Sequence, residues 1–146
     1  MMRISTKGRY ALRIMLDLAA HADGSPVSLR DVAERQKITL KYMESIMAVL
    51  LHAQLVTSLR GKSGGYKLAR PADAFTLYDI LNVAEGDLMP VHCLSLPEND
   101  CELRDHCITL PVWVGLSEVI RDYLQGITLA DLLKQAGKDM FFCNNL

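Results

Sequence analysis

The sequence lacks several features that would assign it to a membrane, an export route or a common enzyme class. No apolar run approaches the length of about 20 residues that a membrane-spanning helix needs. The charged first residues, 1–7, are not followed by the apolar stretch and small-residue cleavage site of a signal peptide. The phosphate-binding loop Gly-x-x-x-x-Gly-Lys, the Gly-x-Ser-x-Gly elbow and the zinc motif His-Glu-x-x-His are also missing. These absences favour a cytoplasmic protein that makes no membrane contact and is not an enzyme.

Aromatic residues are scarce, at 6%, but half of the residues are hydrophobic, which is enough to bury a core and argues against disorder. The length of 146 residues suits one compact domain or a domain with an extension. The net charge of −1 hides a strong asymmetry. Residues 1–70 hold 12 Lys and Arg against 5 Asp and Glu, whereas residues 71–146 hold 4 against 12. A basic first half indicates contact with a polyanion such as DNA, with chance segregation of surface charge as the alternative.

The first half predicts three helices and a hairpin. Helical spacing of apolar residues covers about 5–21, and a second helix covers 28–36 with a capping box formed by Ser28 and Asp31. A third helix begins at Thr39 after a short connection, which gives a helix-turn-helix. Strands are predicted at 55–59 and 66–70 around a basic, glycine-rich turn at 60–65, so the hairpin would be a wing. The methionines indicate core filling rather than metal ligation: Met2, Met15, Met43, Met47 and Met89.

The second half predicts a loop between helices. Capping boxes at Thr76 and Thr128 start two short helices, and Gly86 ends the first of them. A wide apolar stripe over 112–124 indicates a helix that packs on a copy of itself, with packing against the N-terminal helix as the alternative. The predicted fold class is therefore mainly α with a small β-hairpin wing: a winged helix-turn-helix with a long C-terminal dimerisation helix. We predict a DNA-binding domain at 1–86, a cysteine-containing sensor loop at 87–111, the dimerisation and C-terminal helices at 112–135, and a flexible tail at 136–146.

Candidate DNA-binding residues lie in four places. The early turns of a recognition helix enter the major groove, and the residues there are Thr39, Lys41, Tyr42, Glu44 and Ser45. Glu44 could accept a hydrogen bond from cytosine N4, or could be an ordinary solvated residue. At the wing, Arg60 suits a narrow minor groove beside Lys62, while Gly61, Gly64 and Gly65 allow positive φ and close approach to the backbone; an ordinary hairpin turn is the alternative. Phosphate-contact candidates are Lys7, Arg9, Arg13 and Lys41, and Ser28 completes the predicted set.

Three cysteines fall within 15 residues of the loop: Cys93, Cys101 and Cys107. Clustered cysteines in a cytosolic protein indicate a metal or redox role more often than disulfides. Thiolates are soft ligands suited to iron–sulfur clusters, zinc and Cu(I), and neither gap is the short spacing of a zinc ribbon. Buried free thiols are the bland alternative. Cys143 lies in the predicted tail and is not proposed as a ligand.

Five segments of the chain carry a resemblance to a known family: Ile4 to Leu12, Tyr42-Met43-Glu44, Arg60 to Tyr66, Thr76 to Gly86, and Trp113 with Ile127 to Leu132. They resemble the Rrf-type family of transcription regulators, which includes proteins of the IscR, NsrR and CymR kind. The resemblance covers nearly the whole chain. It implies a homodimer that binds a palindromic operator in double-stranded DNA, with the position of Glu44 helping to discriminate between sites.

In cluster-bearing members of that family three loop cysteines hold an iron–sulfur cluster, so the resemblance implies the same role for Cys93, Cys101 and Cys107, with 2Fe–2S favoured over 4Fe–4S. The pattern departs from IscR-like members at Leu110, where those carry a histidine. Candidate fourth ligands are His92, His106, Asp100, Asp105 or a residue of the partner chain. The leading function is then a cluster-controlled regulator, most simply a repressor. The alternatives are a thiol- or zinc-sensing regulator on the same scaffold and a small iron–sulfur redox protein.

Overall fold

A computed structural model describes residues 3–136 of the chain. Its helices are α1 (Thr6–Ala20), α2 (Leu29–Gln36), α3 (Leu40–His52), α4 (Leu77–Glu85), α5 (Leu110–Gln125) and α6 (Leu129–Gln135). Two strands, β1 (Val56–Leu59) and β2 (Gly65–Leu68), pair antiparallel between α3 and α4. The mainly helical fold class with a two-stranded wing is therefore confirmed. Within the described part, no helix has both the length and the apolar character needed to cross a membrane.

Local capping signals set most helix starts. Ser5 caps α1 through its hydroxyl, and Thr39 caps α3 by accepting from the Tyr42 N–H at 3.3 Å. The capping boxes at Thr76 and Thr128 are both complete, as their sequence predicts. The capping box at Ser28 is wrong: Ser28 is the N-cap residue of α2, but its side chain makes no capping bond.

The core lies where α1 meets α3, α4 and α6. Its fully buried side chains include Ile14, Met15, Met43, Met47 and Phe75, so three of the five methionines predicted as core residues are confirmed there. Met89 is half-buried and Met2 lies outside the described residues. Burial of apolar surface on this scale is the main stabilising term of such a domain.

The C-terminal helix α6 packs on the same core. Leu129 is fully buried in it, and its N–H donates to the Phe75 carbonyl at 3.0 Å. The Leu77 N–H donates to the Ile127 carbonyl at 2.9 Å, so the starts of α4 and α6 run side by side. After α5 the polypeptide therefore returns to the N-terminal domain, and α5 lies at the side of that domain. The predicted tail and Cys143 lie outside the described residues.

Element boundaries differ slightly from the sequence-based expectation. Helix α5 begins at Leu110 rather than 112, since Pro111 is well tolerated in a first helical turn. Helix α6 continues to Gln135, and each strand is one residue shorter than predicted, with β2 beginning one residue earlier and ending two residues earlier. The loop between α4 and α5 contains two short 3₁₀ turns, His92–Leu94 and Arg104–His106.

Candidate nucleic-acid interface and cysteine loop

Helix α3 has a buried face and an exposed face that differ in chemistry. Met43, Ile46, Met47 and Leu50 are buried against the core. The predicted base-reading residues Thr39, Lys41, Glu44 and Ser45 are exposed together at the beginning of the helix. The Ser45 hydroxyl donates to the Tyr42 carbonyl at 2.7 Å, which leaves its lone pairs available. The helix is thus anchored by one side while its first two turns face solvent.

Tyr42 differs from its neighbours because it is half-buried. Its ring meets the ring of Tyr10 on α1 edge to face, with 5.7 Å between centroids and 82° between planes. Such pairs are favourable beyond the area that they bury. The sequence placed Tyr42 among the base readers, whereas the structure also gives it a packing role against α1.

The hairpin tip is basic and exposed at Arg60, Gly61 and Lys62. Gly61 has a φ of 113°, a conformation that side chains rarely adopt. The prediction of positive φ is wrong for Gly64, where the requirement is space: a Cβ there would collide with the Leu59 carbonyl.

The base of the wing is joined to the start of α2. Val27 and Tyr66 exchange two backbone hydrogen bonds of 2.8 Å each, and a Cβ on Gly65 would collide with the Val27 carbonyl. Ser28 is half-buried beside this contact. The wing is therefore held against the helix-turn-helix by backbone pairing as well as by its own short ladder.

The structure corrects the prediction that Arg13 contacts a phosphate. It is 9% exposed, and its guanidinium donates to the Gln36 side-chain oxygen at 3.1 Å and to the Gln36 carbonyl at 2.8 Å. Lys7 and Arg9 are half-buried near the start of α1. The Arg9 Nε atom is buried without a partner, although another nitrogen of its guanidinium donates to the Thr6 hydroxyl at 3.4 Å.

Sequence reasoning missed a buried polar network between α1 and α2. Asp17, only 1% exposed, accepts from Arg35 at 2.6 Å and from the Gln36 amide at 2.7 Å. The carboxylate of Asp17 raises the pKa of Arg35, chiefly through their hydrogen bond. The available signal was a charged residue between the apolar positions Ile14 and Leu18 of α1, since buried charges are almost always paired.

The three loop cysteines are free thiols, and none of them is buried, so the buried-thiol alternative is wrong. The structure does not bring them to one point: among residues 3–136, no three His, Cys, Asp or Glu side chains are grouped so that they could hold a metal ion. The candidate fourth ligands His92, Asp100, Asp105 and His106 are all exposed. The donor set itself, three accessible thiols on one loop, fits an iron–sulfur cluster chemically. A change in loop conformation is required before the thiols can share one.

The Cys107 thiol has a hydrogen-bond partner in the loop. A hydrogen bond from the Thr109 hydroxyl, 3.4 Å from Sγ, lowers the pKa of the Cys107 thiol, with help from the N–H groups of Thr109 and Leu110. The thiolate is the form that binds metals and reacts with oxidants. A lowered pKa at Cys107 therefore favours metal binding as well as oxidation.

A cavity of about 700 Å³ lies beside the loop. It is lined by residues of the segment before α1, of α4, of the loop and of α5, among them Ile4, Leu81, Met89, His92 and Tyr123. The loop thus borders open space rather than a packed core.

The outer face of α5 carries an exposed apolar stripe. No residue of α5 is fully buried, and Val112, Val119 and Tyr123 are 60%, 64% and 68% exposed. Trp113, Ile120 and Leu124, on the adjoining face of the helix, are half-buried. Large apolar side chains arranged in this way usually mark an interaction surface.

Comparison with known proteins agrees with this architecture. Residues 4–135 match the family model described as Rrf2, iron-dependent transcriptional regulator. IscR of Erwinia tasmaniensis is 39% identical over 132 residues, which cover 90% of this chain and 79% of that protein. Among solved structures, T. potens IscR has a TM-score of 0.72 at 39% identity, covering 96% of this chain and 92% of its own. CymR, the global cysteine regulator of B. subtilis, has a TM-score of 0.74 at 36% identity, with coverage of 92% and 98%. From its buried core to its wing, the chain belongs to the Rrf2 family of transcriptional regulators.

Proposed function

We propose that the protein is a cytoplasmic homodimeric repressor that binds palindromic double-stranded DNA, and that an iron–sulfur cluster on Cys93, Cys101 and Cys107 controls its affinity. The observation that carries the DNA-binding part is the joint exposure of the first turns of α3 and the basic wing tip. Helix α3 is packed in the core that α1 shares, and the wing is paired with Val27 just before α2. A rigid helix with a basic hairpin at its side suits simultaneous contact with a major groove and the adjacent backbone or minor groove.

The exposed residues divide into readers and anchors. Lys41 and Glu44 offer a donor and an acceptor to base edges, while Thr39 and Ser45 offer hydroxyls to either bases or phosphates. Arg60, Lys62, Lys7 and Arg9 supply positive charge for phosphates or the minor groove.

The homodimer rests on the apolar stripe of α5. A twofold dimer places the same stripe of both copies against each other, which buries it without a second kind of surface. The two recognition helices would then be related by the same twofold axis, and the preferred site would be a palindrome. The exposure of Val112, Leu116, Val119 and Tyr123 supports this arrangement.

The sensing role rests on the loop. Cys93, Cys101 and Cys107 would hold the iron, and a bound cluster would supply sensitivity to oxidants, nitric oxide or iron supply. The loop begins directly after Glu85 and Gly86 of α4, and Glu85 is hydrogen-bonded to Ser5 at the start of α1. Ordering of the loop can therefore shift the N-terminal segment that carries Lys7 and Arg9, and the neighbouring cavity leaves room for such a change.

The decisive experiment is anaerobic purification followed by a visible spectrum with iron, sulfide and zinc assays on the same sample. A sulfur-to-iron absorption with matched iron and sulfide is expected, and it should be lost in Cys93→Ala, Cys101→Ala and Cys107→Ala. The same samples are then titrated with DNA duplexes selected by the wild-type protein from a random library. If the three variants bind those duplexes as the wild type does, the sensing role is refuted while DNA binding stands.

A thiol- or zinc-sensing regulator on the same scaffold is the second candidate. It is favoured by the separated, accessible thiols and by the likeness to CymR, of which an oxidised form from Staphylococcus aureus is also similar, with a TM-score of 0.67 and 32% identity. A colourless, iron-free protein that resists reconstitution and changes its DNA affinity on oxidation or with zinc would establish this alternative. The third option, a small redox protein, requires redox cycling with no affinity for any duplex.

A further inference from the structure

We infer that Tyr10 and Arg13 are positioning residues for sequence recognition: they fix the first turn of α3 by holding Tyr42 and the end of α2, without contacting DNA. This inference rests on the proposed DNA-binding surface. It assigns to two residues of α1 a part in specificity that the exposed residues of α3 do not account for.

The first step is the end of α2. The last carbonyls of a helix have no partner within the helix and need one elsewhere. The Gln36 carbonyl receives the Arg13 guanidinium at 2.8 Å, and the Gln36 side chain is held between Arg13 at 3.1 Å and Asp17 at 2.7 Å. The residue that begins the turn of the helix-turn-helix is therefore bonded to α1 at three points.

The second step is the start of α3. The Arg13 guanidinium carbon lies 4.9 Å from the centroid of the Tyr10 ring, and the Tyr10 ring packs edge to face on Tyr42. A cation over an aromatic face is attractive, more so when it is shielded from water as Arg13 is. Tyr42 is in the first turn of α3, between the exposed residues Lys41 and Glu44.

Together these side chains form one continuous contact network: Asp17, Gln36, Arg13, Tyr10 and Tyr42. The network joins both ends of the turn between α2 and α3 to helix α1. Reading of base edges depends on placing side chains to a fraction of an ångström, whereas attraction to phosphates depends mainly on charge. Removing a contact from this network should therefore reduce discrimination between DNA sequences more than it reduces general affinity for DNA.

The test compares Tyr10→Leu with Tyr10→Phe in the full-length protein. The probes are the duplex selected by the wild type from a random library and a scrambled duplex of equal length and composition, each titrated at several salt concentrations. Tyr10→Leu should weaken binding to the selected duplex by roughly 3- to 10-fold, the equivalent of an aromatic pair. Its affinity for the scrambled duplex and its salt dependence should not change, and Tyr10→Phe should restore the wild-type ratio.

Two comparisons separate positioning from other roles. Arg9→Ala, which removes a proposed phosphate contact, should weaken binding to both duplexes and reduce the salt slope by about one unit. Combining Tyr10→Leu with Tyr42→Leu should cost less than the sum of the two single changes, because both break the same contact. Should Tyr10→Leu fail to fold, Tyr10→Met fills the space without the flat ring and takes its place.

The outcomes are distinct. A folded Tyr10→Leu protein with an unchanged ratio between the two duplexes overturns the inference, and so does equal weakening on both duplexes. If the wild type itself selects no sequence and binds neither duplex, the proposed function fails first.

Discussion

One carboxylate oxygen of Glu85 accepts a hydrogen bond from the Ser5 N–H at 2.9 Å and another from the Ser5 hydroxyl at 2.8 Å. Glu85 is the last residue of α4 and Ser5 is the N-cap of α1. A negative charge at a helix N-terminus is favourable because the free N–H groups and the helix dipole attract it. This pair fastens the end of the helix that leads into the cysteine loop to the beginning of the helix that carries Lys7 and Arg9.

Gly8 is expected to depend on Glu85. A Cβ on Gly8 would collide with the Glu85 carboxylate, so Gly8→Ala should displace it and lower the free energy of unfolding by about 1–3 kcal/mol, the cost of a lost charged hydrogen bond. In a Glu85→Ala background the same change should be neutral or stabilising by up to about 1 kcal/mol, because alanine is the better helix former. Urea denaturation of the wild type, the two single variants and the double variant measures the sign of the change in the free energy of unfolding. Equal destabilisation in both backgrounds would contradict the proposed collision.

Arg60 is expected to act through charge at the wing tip. Arg60→Ala should weaken binding to every duplex and reduce the slope of log affinity against log salt by about one unit. Arg121→Ala is the matched control, since it removes the same charge from α5, where Arg121 lies 5.8 Å from the Tyr78 ring centroid. Fluorescence anisotropy over a range of salt concentrations gives both slopes. Identical salt slopes for the two variants would show that the wing is not part of the DNA interface.

Val119 is expected to lie in the dimer interface. Val119→Glu should raise the dimer dissociation constant by roughly 100-fold or more, because the new charge would be buried without a partner. Val119 is 64% exposed in the single chain, so folding of the monomer should change by less than about 0.5 kcal/mol. Sedimentation of Val119→Glu and of Gln125→Glu, which places the same residue at an exposed polar position, checks this. A dimeric Val119→Glu protein would show that α5 faces another partner.

Asp131 is expected to give stability that disappears in acid. The N–H and hydroxyl of Thr128 lower the pKa of the Asp131 carboxyl below its ordinary value of 3.8. A lowered pKa in the folded state means that the contribution is fully present above about pH 4 and is lost as the pH falls through the folded pKa. In thermal unfolding the wild type should therefore have a higher melting temperature than Asp131→Asn at pH 6, and the difference should shrink below pH 4. A difference that stays constant from pH 6 to pH 3 would contradict this role of Asp131.

The short-range features of this fold were predictable from sequence because their causes are local. The caps at Thr39, Thr76 and Thr128 depend on residues three positions away, and the wing follows from glycines and charges between two short strands. Ser28 shows the limit of this reasoning, since it has the residues of a capping box and still makes no side-chain cap. Its neighbour Val27 pairs with Tyr66, a partner that lies nearly forty positions away.

Arg13 shows why the site could not be completed from sequence. On α1 alone it resembles the other basic residues of a DNA-binding segment, and only the packing of α2 against α1 buries it over Tyr10 and against Gln36. The cysteines are the opposite case. Their number and spacing are visible in the sequence, but whether three thiols converge depends on the path of the loop between α4 and α5.

The sequence by itself determined the order of helices, the wing, the exposed first turns of α3 and the family, because each depends on local propensity or on motifs within a few residues. Tertiary structure alone decided which charges face solvent and which are buried, how Glu85 reaches Ser5, and that the apolar stripe of α5 stays uncovered. These properties depend on which distant segments pack together. Burial and pairing are set by that packing, and no local pattern encodes them.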